Sequence, residues 1–250
     1  MIQYKYLRKR YDLYLRLAYL VITMLLIYLV SIRQLFQYRL YITVGYICTL
    51  YLVIRRIEKW YVKLLNKLLF FDLDIESWRQ YIQINRNAKL KRARKVSNIY
   101  EIIYTYMQGD FRDVINKIVE LKSTFKLSEL ENKSVAIYQV NSELLSNKIN
   151  SMVDIEEILK DCNINDSDMM ELTQRYEAIL DIVIKKKSND YFKEKVSEFR
   201  FDILESMYFD ALNEQLKGNE QKAKELLTDI SNENLDIFIV RNSKTILEEM

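Results

Sequence analysis

The stretch DCNINDSDMMEL (Asp161–Leu172) comes nearest to a chemical site in this sequence. Asp161, Asn163 and Asn165 set oxygen-bearing side chains at alternate positions, as the first three ligands of a twelve-residue calcium loop are set. Such a loop needs glycine at its sixth position and glutamate at its twelfth; Asp166 and Leu172 stand there instead. Without the bidentate carboxylate the main anchor is missing. The residues read better as a helix-linking loop capped by Asp166 or Ser167, and no metal is expected.

Other chemistry is sparse. The chain has no histidine, so imidazole acid–base catalysis and the Ser-His-Asp arrangement are excluded. Cys48 lies in an apolar run and Cys162 stands far from it, which suits neither a zinc site nor a disulfide framework. There is no glycine-rich phosphate loop. The carboxylate pairs Glu129/Glu131 and Glu248/Glu249 read as solvated helix faces. No catalytic residue and no cofactor is expected. What remains are 19 tyrosines and 38 Lys/Arg residues. Aromatic side chains anchor interfaces, and Tyr104, Tyr138 and Tyr176 are the candidate contacts for a protein or peptide partner.

The charge is divided. Residues 1–95 hold 19 Lys/Arg and 5 Asp/Glu, residues 96–250 hold 19 and 30, and the whole chain is +3. An asymmetry of this size places the first part against an anionic surface. Two uncharged apolar runs identify that surface as a membrane: Leu17–Ile32 and Leu40–Ile54. Each is bracketed by arginines that can snorkel and by tyrosines suited to the interface. The spans are expected over about residues 14–32 and 39–55, as a hairpin covering residues 1–54. Basic residues crowd the outer flanks, so the hairpin is expected in the cell membrane with both termini cytoplasmic.

Residues 55–95 read as a basic juxtamembrane region. In RRIEKWYVKLLNKLLFF (Arg55–Phe71), Lys59, Lys63 and Lys67 recur every four residues opposite Trp60 and a leucine-rich stripe. That is the pattern of a helix lying on membrane lipid, and since the hairpin already places it there Lys59, Trp60, Lys63 and Lys67 are expected at the membrane surface; the alternative is an apolar face packed on the protein itself. Residues 79–95 carry seven basic residues and no acidic one, enough to attract acidic headgroups. Nucleic acid is not expected as a partner, since no recognition motif accompanies the run.

Residues 96–250 have helical periodicity throughout. The whole chain has no proline and three glycines, too few turn formers for a sheet protein. Helix–turn–helix units are predicted around Gly109-Asp110 and Gly218-Asn219. Between them, helices are predicted over 128–147 (with Ser128 and Glu131 as a capping box), 154–162, 166–187 and 190–200, and a terminal one over 232–249. In the second unit Ala211 and Ala223 are small residues on either side of Gly218-Asn219. This unit resembles the tetratricopeptide repeat, in which small residues of two antiparallel helices pack across such a turn. The unit around Gly109 fits the turn but has Val114 where the repeat has alanine. The resemblance implies an α-solenoid of stacked helix pairs with a groove for peptides or protein segments. The expectation is therefore an all-α chain: a two-helix membrane hairpin followed by a helix-pair domain that acts as a protein-binding adaptor or scaffold. Immunity against a toxin or bacteriocin, or a place as accessory subunit of a membrane transport or secretion complex, would use the same parts.

Overall fold

The computed structural model describes residues 3–32, 37–160, 162, 166–193 and 195–250. The calcium-loop positions Asp161, Asn163 and Asn165, and most of the connector between the two apolar runs, lie outside them. Among the described residues the regular structure is entirely helical: α1 (Tyr4–Ser31), α2 (Arg39–Asn66), α3 (Ile75–Asn85), α4 (Lys91–Met107), α5 (Phe111–Thr124), α6 (Glu129–Leu145), α7 (Met152–Lys160), α8 (Asp166–Ile179), α9 (Arg200–Leu216), α10 (Glu220–Ser231) and α11 (Phe238–Glu249). Backbone contacts group the chain into two units, residues 1–80 and 81–250, and the division falls inside α3.

In the first unit α1 and α2 pack antiparallel. Both are long and apolar enough to cross a membrane, and none of the apolar window of either is buried within the protein. A core helix of a soluble domain would hide that surface; here Leu20, Met24, Tyr28, Leu40, Tyr41 and Leu52 are each more than half exposed. Within the apolar stretch the two helices share a side-chain hydrogen bond, Thr23 Oγ1 to Tyr46 Oη at 3.2 Å.

Beyond the apolar stretch both helices continue as a stem. Tyr11 stacks on Tyr61 with ring centroids 4.4 Å apart, and Tyr14 meets Trp60 edge-on at 5.3 Å. Leu7, Leu65, Leu68 and Leu69 fill the seam. The stem is closed by a π turn at Lys67–Phe71 and by α3. Trp78 is fully buried there and donates from Nε1 to the Leu69 carbonyl at 2.8 Å. Burying a side chain of this kind contributes about 1.5–3 kcal/mol. The first N–H groups of a helix have no partner within it. In α1 two of them are met from α3: Tyr4 N–H donates to Ser77 Oγ and Lys5 N–H to Gln80 Oε1.

In the second unit the two glycine turns are built alike. Gly109 and Gly218 both have φ +79°, the left-handed region that costs glycine nothing. In each turn the N–H after the glycine reaches back five residues, Asp110 to the Thr105 carbonyl and Asn219 to the Glu214 carbonyl. That bond, with the left-handed glycine, is the Schellman ending of a helix. α4 pairs with α5 across the first turn and α9 with α10 across the second. Ala211 and Ala223 are fully buried; counted from the glycine, Ile102 and Val114 take their places in the first pair and are also buried. The capping box at Ser128 and Glu131 forms as predicted and starts α6.

Two segments differ from expectation. The helix predicted over 190–200 is a single 3-10 turn at Asp190–Phe192, and α9 begins only at Arg200. The Asn189 side chain accepts from Tyr191 N–H, a local bond that competes with continued helix. The helix expected from 232 likewise starts at Phe238, because Asn234 Oδ1 captures Asp236 N–H. In a linear repeat stack each unit touches only its neighbours. Here the first pair also touches the last helices: the Arg241 guanidinium of α11 donates to the Gln108 carbonyl at the end of α4, 133 residues away, at 2.6 Å. A Cβ on Gly109 would come within 2.6 Å of Phe238 Cβ.

Candidate functional site

The three tyrosines singled out as partner anchors belong largely to the interior of the helix-pair domain. Tyr176 is fully buried and Tyr104 is 9 % exposed, so neither offers a face to a partner; Tyr138 is partly covered. Tyr138 meets Tyr106 edge-on at 5.3 Å. Tyr106, which the sequence pattern did not distinguish, is the centre of this core. It is fully buried among Phe111, Phe201 and Phe238, with ring centroids 5.7–5.9 Å away.

Its hydroxyl donates to Glu205 Oε1 at 2.6 Å, while Arg175 pairs with the other carboxylate oxygen. Three helices are tied at this point: α4 by Tyr106, α8 by Arg175 and α9 by Glu205. Burial drives the Tyr106 hydroxyl well above its ordinary titration range, with Glu205 reinforcing it, so it remains a donor. Burial works against the Arg175 charge, but Glu205, Tyr176, Tyr106 and Asp202 together outweigh it and the guanidinium stays protonated. Asp202, one turn from Glu205, is raised by burial and then by the neighbouring carboxylate. The cluster can hold helices in register. A sequence signal for it exists in retrospect. Glu205 interrupts the apolar stripe Phe201, Leu204 and Tyr208, and a charge in such a stripe must find a partner.

A small polar cleft of about 190 Å³ lies between α4 and α5, lined by Arg86, Asn87, Asn98, Glu101, Lys117 and Glu120. Glu101 accepts from Lys117 at 2.9 Å and faces Arg86 at 3.9 Å. Two cations balance two carboxylates there, so the cleft suits a neutral polar group better than an anion. Large aliphatic side chains stand exposed on four consecutive helices: Val119 on α5, Leu130 on α6, Val153 on α7 and Met170 on α8, each 61–74 % accessible.

The candidates for lipid contact lie on the stem. Lys59, Lys63 and Lys67 are exposed, and Trp60 is half-buried against Tyr14. α2 runs without a break from the apolar stretch through these residues, and its leucine-rich face packs on α1. Among the described residues no three His, Cys, Asp or Glu side chains gather as a metal site, and neither Cys48 nor Cys162 forms a disulfide. No protein-family model matches this chain, and neither a curated protein nor a solved structure matches it.

Proposed function

We propose that the chain is a membrane-anchored interaction module, with α1 and α2 spanning the bilayer and the helix-pair domain holding a protein or peptide partner on the cytoplasmic face. The observation that carries the reading is the combination of two long apolar helices, none of whose apolar window is buried, with a domain of antiparallel helix pairs. The antiparallel packing puts the Arg16 and Arg55 flanks at one end of the pair, and that end is the basic one. Positive flanks are retained in the cytoplasm, which gives the orientation. The two matching glycine turns support a domain of repeated helix pairs, and the Arg241 contact departs from an open solenoid by bringing the last helix back to the first pair. The exposed aliphatic side chains Val119, Leu130, Val153 and Met170 are the contacts proposed for a partner, in place of the buried Tyr104 and Tyr176 and the partly covered Tyr138.

The test is capture of the tagged full chain from membranes in mild detergent. A variant with Val119, Leu130, Val153 and Met170 changed to serine is run beside Tyr176→Phe. A stoichiometric protein that is lost with the serine variant and retained by Tyr176→Phe supports the reading. Recovery of the chain in the soluble fraction without detergent would refute the anchor, and retention of the same protein by the serine variant would refute the surface.

A further inference from the structure

The stem carries more positive charge than topology alone requires, and the structure sorts that charge by height. The Tyr11–Tyr61 contact fixes the antiparallel register of α1 and α2. Five residues from this pair toward the apolar stretch lie Arg16 on α1 and Arg56 on α2; two residues the other way lie Lys9 and Lys63; six residues away lie Lys5 and Lys67. All six side chains are exposed. At 1.5 Å per residue, the Lys9/Lys63 level stands about 10 Å beyond the Arg16/Arg56 level, and the Lys5/Lys67 level about 16 Å beyond it.

The Arg16/Arg56 level is the first reached on leaving the apolar runs, which begin at Leu17 and end at Ile54. Arg55 and Lys59 flank it on α2. Arg55 is partly engaged, donating from Nε to Tyr51 Oη at 3.1 Å and facing Glu58 at 3.8 Å. Among the described residues no acidic side chain pairs with Arg16, Arg56 or Lys59. The headgroup layer is about 5–8 Å deep on each side of the hydrocarbon core, and charges in physiological salt are screened beyond about 8 Å. Only the first level therefore lies among the phosphates.

We propose that Arg16, Arg56 and Lys59, with Arg55, form a collar that selects anionic phospholipid headgroups around the hairpin. This rests on the reading of α1 and α2 as membrane spans. Guanidinium groups suit the role because their planar fork matches two phosphate oxygens at once, whereas Lys9, Lys63, Lys5 and Lys67 are hydrated point charges; of the two arginines higher on the stem, Arg8 pairs with Asp12 and Arg10 lies over the rings of Tyr6 and Tyr14. Each cation at an anionic surface is worth about 1 kcal/mol, about a fivefold preference.

The experiment uses the full chain in vesicles of phosphatidylcholine with a minor fraction of phosphatidylglycerol, either lipid carrying a nitroxide near its headgroup. Trp60 is the reporter, one turn from Arg56. The other tryptophan, Trp78, is fully buried and serves as constant background, or is removed as Trp78→Phe. At equal label content, labelled phosphatidylglycerol should quench Trp60 about fivefold more than labelled phosphatidylcholine. Arg16→Gln with Arg56→Gln should bring the two near parity, Arg16→Lys with Arg56→Lys should keep most of the difference, and Lys9→Gln with Lys63→Gln should leave it unchanged. Equal quenching by both lipids in the unaltered chain overturns the collar while leaving the membrane spans in place. Equal loss of preference from the arginine and lysine pairs also overturns it, in favour of a diffusely charged stem suited to an acidic protein segment. Failure of both labels to quench Trp60 overturns the membrane reading itself.

Discussion

Gly109 and Gly218 make the same turn with the same φ, yet replacing each by alanine should have different consequences. Either substitution places a Cβ in the left-handed region, at a cost of about 1–2 kcal/mol. At Gly218 nothing lies within 4 Å of the new atom, so that cost is the whole effect. At Gly109 the Cβ meets Phe238 Cβ at 2.6 Å and Cγ at 3.2 Å. The closer atom is fixed to the α11 backbone, so the helix must shift by about 1 Å rather than a side chain rotate, and overpacking of this kind adds about 1–3 kcal/mol. The expected losses are thus about 1–2 kcal/mol for Gly218→Ala and about 2–5 kcal/mol for Gly109→Ala. Urea titration of the full chain in detergent, read by pulse proteolysis, gives both numbers. Hydrogen exchange should show α11 losing protection in Gly109→Ala and keeping it in Gly218→Ala. Phe238→Ala should rescue little, because alanine keeps the offending Cβ. Losses within about 0.5 kcal/mol of each other, or full rescue by Phe238→Ala, would refute the close approach of α11 to the first turn.

Three further outcomes follow from the helix-pair domain. Arg175→Met leaves the Glu205 carboxylate buried with only Tyr106 as donor, and should cost about 3–5 kcal/mol in the same titration. Asp202 has its folded pKa raised by burial and by Glu205, so its contribution is fully present below the ordinary aspartate value near 3.9 and is lost as pH rises through the folded value. Asp202→Asn should therefore raise the melting temperature near neutral pH and leave it unchanged below pH ~3, since the amide oxygen can still accept from Ser197. Ser128→Ala removes the cap on Glu131 N–H and should cost about 1 kcal/mol, read as faster amide exchange confined to the first turn of α6.

The parts legible in the sequence are those governed by short-range rules. Leu17–Ile32 and Leu40–Ile54 are visible because only a membrane-facing or fully buried helix tolerates sixteen or fifteen uncharged residues. Gly109, Gly218 and Ser128 are visible because left-handed turns and capping boxes demand particular residues at particular offsets. The breaks at Asn189 and Asn234 escaped notice because asparagine is tolerated within a helix and its turn-forming bond depends on local geometry. The tyrosines are ambiguous for a different reason. An amphipathic stripe fixes which residues face inward, but Tyr104, Tyr138 and Tyr176 are equally suited to a core and to a groove, and the choice depends on helices more than thirty residues away. Tyr106–Glu205 and Gln108–Arg241 are separated by 99 and 133 residues and leave no periodic trace at all.

The contact of α11 with the first turn also sets a timetable. Ribosomes add roughly 5–20 residues per second, so Arg241 emerges roughly 7–27 s after the Gln108 carbonyl it will hold. A helical pair closes in well under a millisecond. α4 and α5 therefore spend nearly all of that interval folded locally but unsealed, with the rings of Tyr106 and Phe111 awaiting Phe238. In a nascent chain of this protein the face of that pair that later meets Phe238 would stay open to chaperones and proteases for the whole of that delay.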